Sequence, residues 1–200
     1  MNIAAIVLAA GLSKRMGLPK LSLPWGDSTV IGHVCSVLSQ AGVTEIVIVT
    51  GGARQQVETS LAGEPVRLVF NPRFEQSEMI DSLQVGLVNL SPHIEATLVA
   101  LGDQPQIQVE VVQGVMQAYQ ERRAGLVVPS YRMKRGHPWL VDRALWDEIL
   151  SLHPPYTLRD FLARFEQHIS YLPVESDTIL KDLDTPDDYE REKNRFSHNA

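Results

Sequence analysis

Two continuous apolar runs with a helical pattern between them constrain the fold of this chain most strongly. The first run is Ile3–Ala9, and the second, rich in β-branched residues, is Glu45–Thr50, which ends at Gly51-Gly52. Strands of a parallel sheet are buried on both faces, so they form continuous rather than alternating apolar runs. Between the two runs, apolar residues recur at helical spacing and stop before Gly42, a residue type that commonly ends helices. The sequence therefore predicts a βαβ unit.

The rest of the chain continues this alternation. Further strands are predicted at residues 66–70, 97–101, 125–128, 139–141 and 169–174. Apolar stripes at helical spacing lie between them, at residues 79–90, 111–119 and 158–165. The pattern predicts a three-layer α/β/α sandwich on a mostly parallel sheet. A length of 200 residues suits one domain, which we assign to residues 1–194, followed by a flexible tail over residues 195–200.

Charge, cysteine content and the first apolar run exclude several classes of protein. The net charge is −6 and no long basic run offsets it, which disfavours a nucleic-acid polymer as partner. One cysteine, Cys35, cannot form an intramolecular disulfide, and the six histidines lack the spacing of a zinc site. Ile3–Ala9 is too short for a membrane span and lacks the basic flank of a signal peptide. We expect a cytoplasmic protein without a membrane partner.

The loop after the first strand combines small residues with cations. Ala9 to Gly11 are small enough for a flat ring or a phosphate to approach the backbone, and Gly17 permits a sharp turn. Lys14, Arg15 and Lys20 follow within a few residues. The spacing of the glycines fits neither the dinucleotide-binding nor the Walker motif. An ordinary turn with solvated cations explains the loop as well as an anion site does.

A carboxylate follows the end of another predicted strand. Asp103 follows the predicted strand at 97–101, where a carboxylate needs a partner or a bound cation. A hard oxygen ligand there suits Mg²⁺ held between the protein and nucleotide phosphates, although a carboxylate that closes a turn is the alternative.

Asp182 and Asp184 precede a helix start. Thr185 as N-cap, Pro186 and Asp188 are explained by helix capping. Asp182 and Asp184 are not, and the alternation of an extended strand places both on one face.

Several of these segments resemble motifs of the MobA-like nucleotidyltransferases, in particular the molybdenum cofactor cytidylyltransferases. Residues 8–20 are similar to the family signature L-A-A-G-x-S-x-R-M-G-x-x-K, and residues 101–105, Leu-Gly-Asp-Gln-Pro, to the motif whose Asp holds magnesium. Residues 182–186 resemble the D-[IL]-D-T-P segment. Gly136-His137-Pro138 resembles an element on the acceptor side of the cleft, although a Gly-Pro hairpin turn with an incidental His also explains it.

The segment after the third predicted strand is similar to the base-recognition region of the family. Asn71-Pro72 is followed by Ser82, at the position of a serine that reads the nucleobase from a helix start. The chain departs from many relatives in having Ser77 where they have Gly.

The resemblance implies a Rossmann-like fold of the nucleotide-diphospho-sugar transferase type and a Mg²⁺-dependent transfer of CMP from CTP to the phosphate of the molybdenum cofactor, with release of pyrophosphate. Arg15, Lys20 and Asp103 would be catalytic, and Asp103 and Asp184 would hold the metal, with Asp182 as the substitute for Asp184. The implied nucleotide-binding residues are Leu8, Ala9, Ala10, Gly11, Ser13, Arg15, Lys20, Ser82 and Asp103. The implied acceptor-binding residues are Gly136, His137 and Pro138.

Two alternatives remain open from the sequence. The protein could transfer a cytidylyl, guanylyl or uridylyl group to another phosphorylated acceptor. It could also be a non-catalytic chaperone that delivers the molybdenum cofactor to a molybdoenzyme client. Ala-Ala-Gly at residues 9–11, rather than Ala-Gly-Gly, favours the cytidylyl over the guanylyl branch of the family.

Overall fold

A computed structural model describes residues 2–13, 15–76 and 78–199 of the chain. Lys14 of the basic loop and Ser77 of the base-recognition segment lie outside the described residues. The strands are β1 (Ile3–Ala9), β2 (Pro24–Trp25), β3 (Ser28–Thr29), β4 (Glu45–Thr50), β5 (Arg67–Phe70), β6 (Ala96–Leu101), β7 (Leu126–Tyr131), β8 (Lys134–Arg135), β9 (Trp139–Asp142) and β10 (Ile169–Pro173). The α-helices are α1 (Val30–Gln40), α2 (Arg54–Ser60), α3 (Met79–Leu87), α4 (Val109–Arg122), α5 (Trp146–Leu150), α6 (Leu158–Arg164) and α7 (Pro186–Asn199).

The large sheet is mostly parallel, as predicted. Its strand order is β10-β7-β9-β6-β1-β4-β5, and β8 pairs with β7 beside this path. β1 pairs in parallel with β4 and β6, β4 with β5, and β7 with β10. Only β9, among the strands on the main path, runs antiparallel to its neighbours β6 and β7.

Alternate residues of β1 reach two separate apolar cores. Ile3, Ala5 and Val7 pack on one face of the sheet with residues of α1, α2, α4 and α7. Ala4 and Ile6 pack on the other face with residues of α3, α5 and α6. All five side chains are fully buried. Helices therefore cover both faces of the sheet, which confirms the predicted three-layer α/β/α sandwich. None of the helices in the described part of the chain has the length and apolar character needed to cross a bilayer.

The central position of β1 determines where a ligand can bind. The connection from β1 to β4 runs through α1 on one face, and α3 leads to β6 on the opposite face. In open α/β sheets, a crevice for ligands forms beyond the carboxyl ends of the strands at the point where the strand order reverses. The loops that follow β1 and β6 both start at this point.

The C-terminal helix extends into residues 195–199, part of the segment expected to be a flexible tail. α7 begins with the predicted capping box, in which the Thr185 backbone N–H donates to Asp188 Oδ2 at 3.0 Å and the Asp188 N–H to Thr185 Oγ1 at 3.2 Å. The helix continues to Asn199. Phe196 explains this, because its ring centroid lies 5.3 Å from that of buried Trp25 and anchors the last turns.

Candidate active site

A cavity of about 500 Å³ opens beyond the carboxyl ends of β1 and β6. The loop after β1 forms one wall, and the start of α3 forms another. The lining residues include Leu8, Ala9, Ala10, Gly11, Ser13, Arg15, Lys20, Ser82, Asp103, Asp182 and Asp184. The structure thus brings together the residues predicted to bind the nucleotide and the metal, although they come from four distant segments of the sequence.

Close backbone packing holds the first wall of the cavity in place. A side chain at Gly51 would overlap the Ala10 carbonyl oxygen, so only glycine allows this approach of β4's end to the loop. Gly17 adopts a left-handed φ of 66° and Ser13 a φ of 49°, and the Met16 N–H closes the turn on the Ser13 carbonyl at 3.0 Å. At Gly11, by contrast, a Cβ would meet no described atom within 4 Å. The loop is therefore fixed to the protein on one side and open to the cavity on the other.

Lys20 lies between two of the predicted acidic residues. Its Nζ is 2.5 Å from Asp103 Oδ2 and 3.5 Å from Asp184 Oδ1. The side chain of Lys20 is only 12% exposed, whereas those of Asp103 and Asp184 are 21% and 34% exposed. Burial strengthens such an ion pair because little solvent screens it.

Arg15 approaches the same cluster from the solvent side. Its Nη2 lies 3.1 Å from Asp184 Oδ2, and its side chain is 71% exposed. An exposed guanidinium of this kind contributes little to stability, so it remains free to exchange its partner for a ligand phosphate.

Asp182 and Asp184 flank Leu183, whose side chain is fully buried. The Leu183 N–H donates to the Asp103 carbonyl oxygen at 3.1 Å, which ties the two acidic segments together. Burial raises the pKa of Asp182, and the neighbouring charges of Asp103 and Asp184 raise it further. Asp182 accepts a hydrogen bond from Gln104 Nε2 at 2.7 Å. Asp184, rather than Asp182, lies with Asp103 around the same cation, the Lys20 ammonium.

These carboxylates fit a divalent cation. Asp103 and Asp184 already converge on one positive charge, the Lys20 ammonium, and both offer the hard oxygen ligands that Mg²⁺ or Mn²⁺ takes. Within the described ranges, no group of three or more His, Cys, Asp or Glu side chains is arranged to hold a metal ion. A cation here would therefore complete its shell with water and with oxygens of the substrate, as Mg²⁺ commonly does in nucleotide sites.

The opposite wall of the cavity carries Ser82, on the first turns of α3. Its buried Oγ accepts a hydrogen bond from Asn71 Nδ2 at 3.1 Å. Asn71 is in turn fixed at the end of β5, because its Oδ1 accepts from the Arg73 N–H at 3.0 Å and its own N–H donates to Thr50. The Asn71-Pro72 and Ser82 segments are thus brought into contact.

Several lining residues were not singled out as site residues in the sequence, among them one aromatic and two acidic residues. Phe74, Glu75 and Glu78 border the cavity between β5 and α3. Their position between a strand end and the next helix was the one available signal, since their side-chain types have no distinctive spacing.

The predicted acceptor residues lie apart from the lining of this cavity. Gly136 and His137 pack on the backbone of Ile179, to which the His137 N–H donates at 3.0 Å, and a Cβ at Gly136 would lie 2.5 Å from the Ile179 oxygen. Burial lowers the pKa of His137 to about 4, so the imidazole is neutral at pH 7. The geometry gives this segment a packing role, and acceptor binding by Gly136, His137 and Pro138 stays a prediction.

Comparison with known proteins places this geometry in a family. The chain matches the MobA-like NTP transferase domain over residues 5–169. It is 26% identical to the molybdenum cofactor cytidylyltransferase of Escherichia coli (strain K12) over 196 residues, 98% of this chain and 97% of that protein.

Several solved structures superpose on this chain over nearly its whole length. Rv0371c from Mycobacterium tuberculosis H37Rv is 29% identical and superposes with a TM-score of 0.84, over 97% of this chain and 98% of that one. A structure of Rv0371c in complex with manganese superposes with a TM-score of 0.82 at 28% identity, over 97% and 99% of the two chains. A nucleotidyl transferase from Methanothermobacter thermautotroptrophicus, 24% identical, shares the fold with a TM-score of 0.85 over 100% and 99%. The chain belongs to the MobA-like NTP transferase family and is a nucleotidyltransferase.

Proposed function

We propose that this protein transfers CMP from CTP to the phosphate of the molybdenum cofactor and releases pyrophosphate. The observation that carries the proposal is the single cavity in which the open backbone at Gly11, the cations Arg15 and Lys20, and the carboxylates Asp103 and Asp184 meet. The similarity to a molybdenum cofactor cytidylyltransferase over almost the whole length of both chains supports this choice of substrates.

The nucleotide would lie along the loop after β1. Ala9, Ala10 and Gly11 leave room for the ribose and phosphates against the backbone, and Ser13 lies where the loop turns over them. Ser82 would hydrogen-bond the base from the opposite wall. Its Oγ accepts from Asn71, which leaves the hydroxyl hydrogen free to donate to an acceptor on the base edge.

The chemistry needs positioning and charge neutralisation more than proton transfer. A phosphate monoester has a second pKa of about 6 and is already a dianionic nucleophile at neutral pH. Lys20 and Arg15 would stabilise the negative charge that builds up on the α-phosphate and the departing pyrophosphate. A Mg²⁺ ion held by Asp103 and Asp184, when bound, would supply further charge neutralisation and would orient the phosphates. In an in-line transfer, the acceptor phosphate would form its bond to the α-phosphorus opposite the bond to pyrophosphate that breaks, so the chain must hold the acceptor on the side away from the leaving group.

Pyrophosphate release, measured with Mg²⁺ and molybdenum cofactor in the presence of each of the four nucleoside triphosphates, tests the proposal. Release with CTP alone is the expected result. Release with GTP would move the protein to the guanylyl branch. Activity only with other phosphorylated acceptors would show that one of them, and not the molybdenum cofactor, is the substrate. Tight binding of the cofactor, with no turnover of any triphosphate, would favour a delivery chaperone.

A further inference from the structure

The ammonium group of Lys20 occupies the place between two carboxylates that a metal ion would need. It lies 2.5 Å from Asp103 Oδ2 and 3.5 Å from Asp184 Oδ1, and its side chain is largely buried. Arg15 holds the other oxygen of Asp184 at 3.1 Å. Both carboxylates are therefore already neutralised by cations of the chain itself.

A divalent cation and the Lys20 ammonium would repel each other strongly at these oxygens. Both would lie within a few ångströms of Asp103 Oδ2, in a partly buried site where water screens their repulsion weakly. Binding of the metal therefore requires the ammonium to leave. A buried ammonium that loses its anion is costly, so the exchange needs a new anion for Lys20.

Backbone contacts hold Lys20 in place while its side chain lines the cavity. Lys20 begins a short 3₁₀ helix, Lys20–Ser22, whose next residue, Leu21, is buried in the core. The Leu23 N–H donates back to the Lys20 carbonyl, and the Val30 N–H donates to Leu23. The four-carbon side chain of Lys20 has several rotatable bonds, and it lines the same cavity as the open backbone at Gly11.

We propose that Lys20 is an internal counterion that occupies the metal site until a nucleotide arrives. The polyphosphate of the nucleotide forms ion pairs with Lys20 and Arg15, which leaves Asp103 and Asp184 free to bind the metal. The identification of the anion as a nucleotide rests on the proposed function. Metal and nucleotide then bind cooperatively, and by thermodynamic linkage each raises the affinity of the other by the same factor.

The test measures Mn²⁺ binding by the electron paramagnetic resonance signal of the free ion, after subtraction of the Mn²⁺ that CTP binds in the absence of protein. The wild-type protein binds Mn²⁺ weakly alone and more tightly with CTP, by a factor of roughly 5 to 150. The Lys20→Met variant binds Mn²⁺ alone more tightly than wild type by a factor in the same range, and CTP raises its Mn²⁺ affinity by a smaller factor than it does in wild type. Lys193→Met, which removes the same charge from α7 away from the cavity, leaves the Mn²⁺ affinity unchanged.

Two results would overturn the proposal. One is a Lys20→Met variant, folded by circular dichroism, whose affinity for Mn²⁺ alone equals that of wild type or is lower. The other, which does not need the variant, is a wild-type protein whose Mn²⁺ affinity is unaffected by any nucleoside triphosphate that it binds. The comparison without nucleotide is independent of which triphosphate the enzyme uses. A failed transfer assay with CTP would therefore count against the proposed substrates and not against the role of Lys20 as an internal counterion.

Discussion

Gln104 joins two acidic segments that lie far apart in the sequence. Its side chain is 2% exposed, and its Nε2 donates to Asp182 Oδ1, 78 residues further along the chain. Its Oε1 is buried and has no hydrogen-bond partner among the described residues. In the sequence, Gln104 is only a neighbour of Asp103. The contact with Asp182 depends on how the C-terminal segment returns to the sheet, which no local pattern reveals.

Replacing Gln104 with Met tests this link, because Met has a similar volume and no hydrogen-bonding amide. We expect the metal concentration for half-maximal activity to rise, since Asp182 and its neighbour Asp184 lose a fixed orientation. The free energy of unfolding should change by no more than about 1 kcal/mol, because the lost hydrogen bond is offset by removal of the unpartnered Oε1. Titration of activity with Mg²⁺ checks this. An unchanged metal requirement would show that Gln104 only packs. Gln117→Met, on the exposed face of α4, is the matched control.

Asp103→Asn tests the carboxylate most directly. The change keeps the size of the side chain and removes its charge, so the fold should persist while turnover falls by about 10²- to 10³-fold, as for loss of one group that stabilises a transition state. The rate of pyrophosphate release and the circular dichroism spectrum provide the two readouts. A variant with full kcat would remove Asp103 from the mechanism.

At the level of elements, α6 and α7 both begin with a Thr-x-x-Asp capping box, but of these two only α7 begins beside the site. Thr185 and Asp188 cap α7 directly after Asp184, whereas Thr157 and Asp160 cap α6 outside the cavity lining. We expect Thr185→Ala and Thr157→Ala each to lower the free energy of unfolding by about 1 kcal/mol.

Only Thr185→Ala should also raise the metal requirement of the reaction, because Asp184 lies directly beside the weakened cap. Urea denaturation of both variants and Mg²⁺ titration of their activity separate the two effects. Equal metal requirements in the two variants would show that the start of α7 does not position Asp184.

The bounds of the strands could be predicted where burial alone decides them. β1 and β4 are found at the predicted residues, because continuous apolar runs bounded by polar or glycine residues leave little choice. β7 extends to Tyr131, three residues beyond its prediction, since Ser130 and Tyr131 pair with β8 across a two-residue turn. That turn, Arg132-Met133, has positive φ at both residues without the glycine or asparagine that signals such turns. α2 was not predicted because Val57 alone of its residues is buried.

For the whole molecule, the sequence predicted which residues form the candidate site but not how their side chains are arranged. Motif resemblance named the residues of the cavity, such as Arg15, Lys20 and Asp103, whereas the pairing of Lys20 with both carboxylates follows only from the folded chain. The separation of Gly136-His137-Pro138 from the cavity lining likewise depends on the packing of residues 177–180, which carry no sequence signal of their own.

The pH dependence of stability is a property of the whole molecule to which His137 contributes. Its pKa falls from an ordinary 6.5 to about 4 through burial, so between these values the unfolded chain binds a proton that the folded protein does not. Stability is therefore unaffected by this group above pH 6.5 and falls as the pH drops toward 4, by up to about 1.4 kcal/mol per pH unit. His137→Gln should flatten this slope in urea denaturation series, while exposed His153→Gln should leave it unchanged. Identical slopes in all three proteins would show that His137 titrates normally.

In the proposed reaction, the acceptor attacks the α-phosphorus of a nucleotide held between the loop after β1 and Asp103. CTP labelled with ³²P at either the α or the γ position tests it most directly, in the presence of Mg²⁺ and molybdenum cofactor. We predict that the α-label appears in the acceptor product and the γ-label in pyrophosphate. A γ-label found in the acceptor or in inorganic phosphate, with the α-label left in CDP, would show attack at the γ-phosphorus and contradict the account.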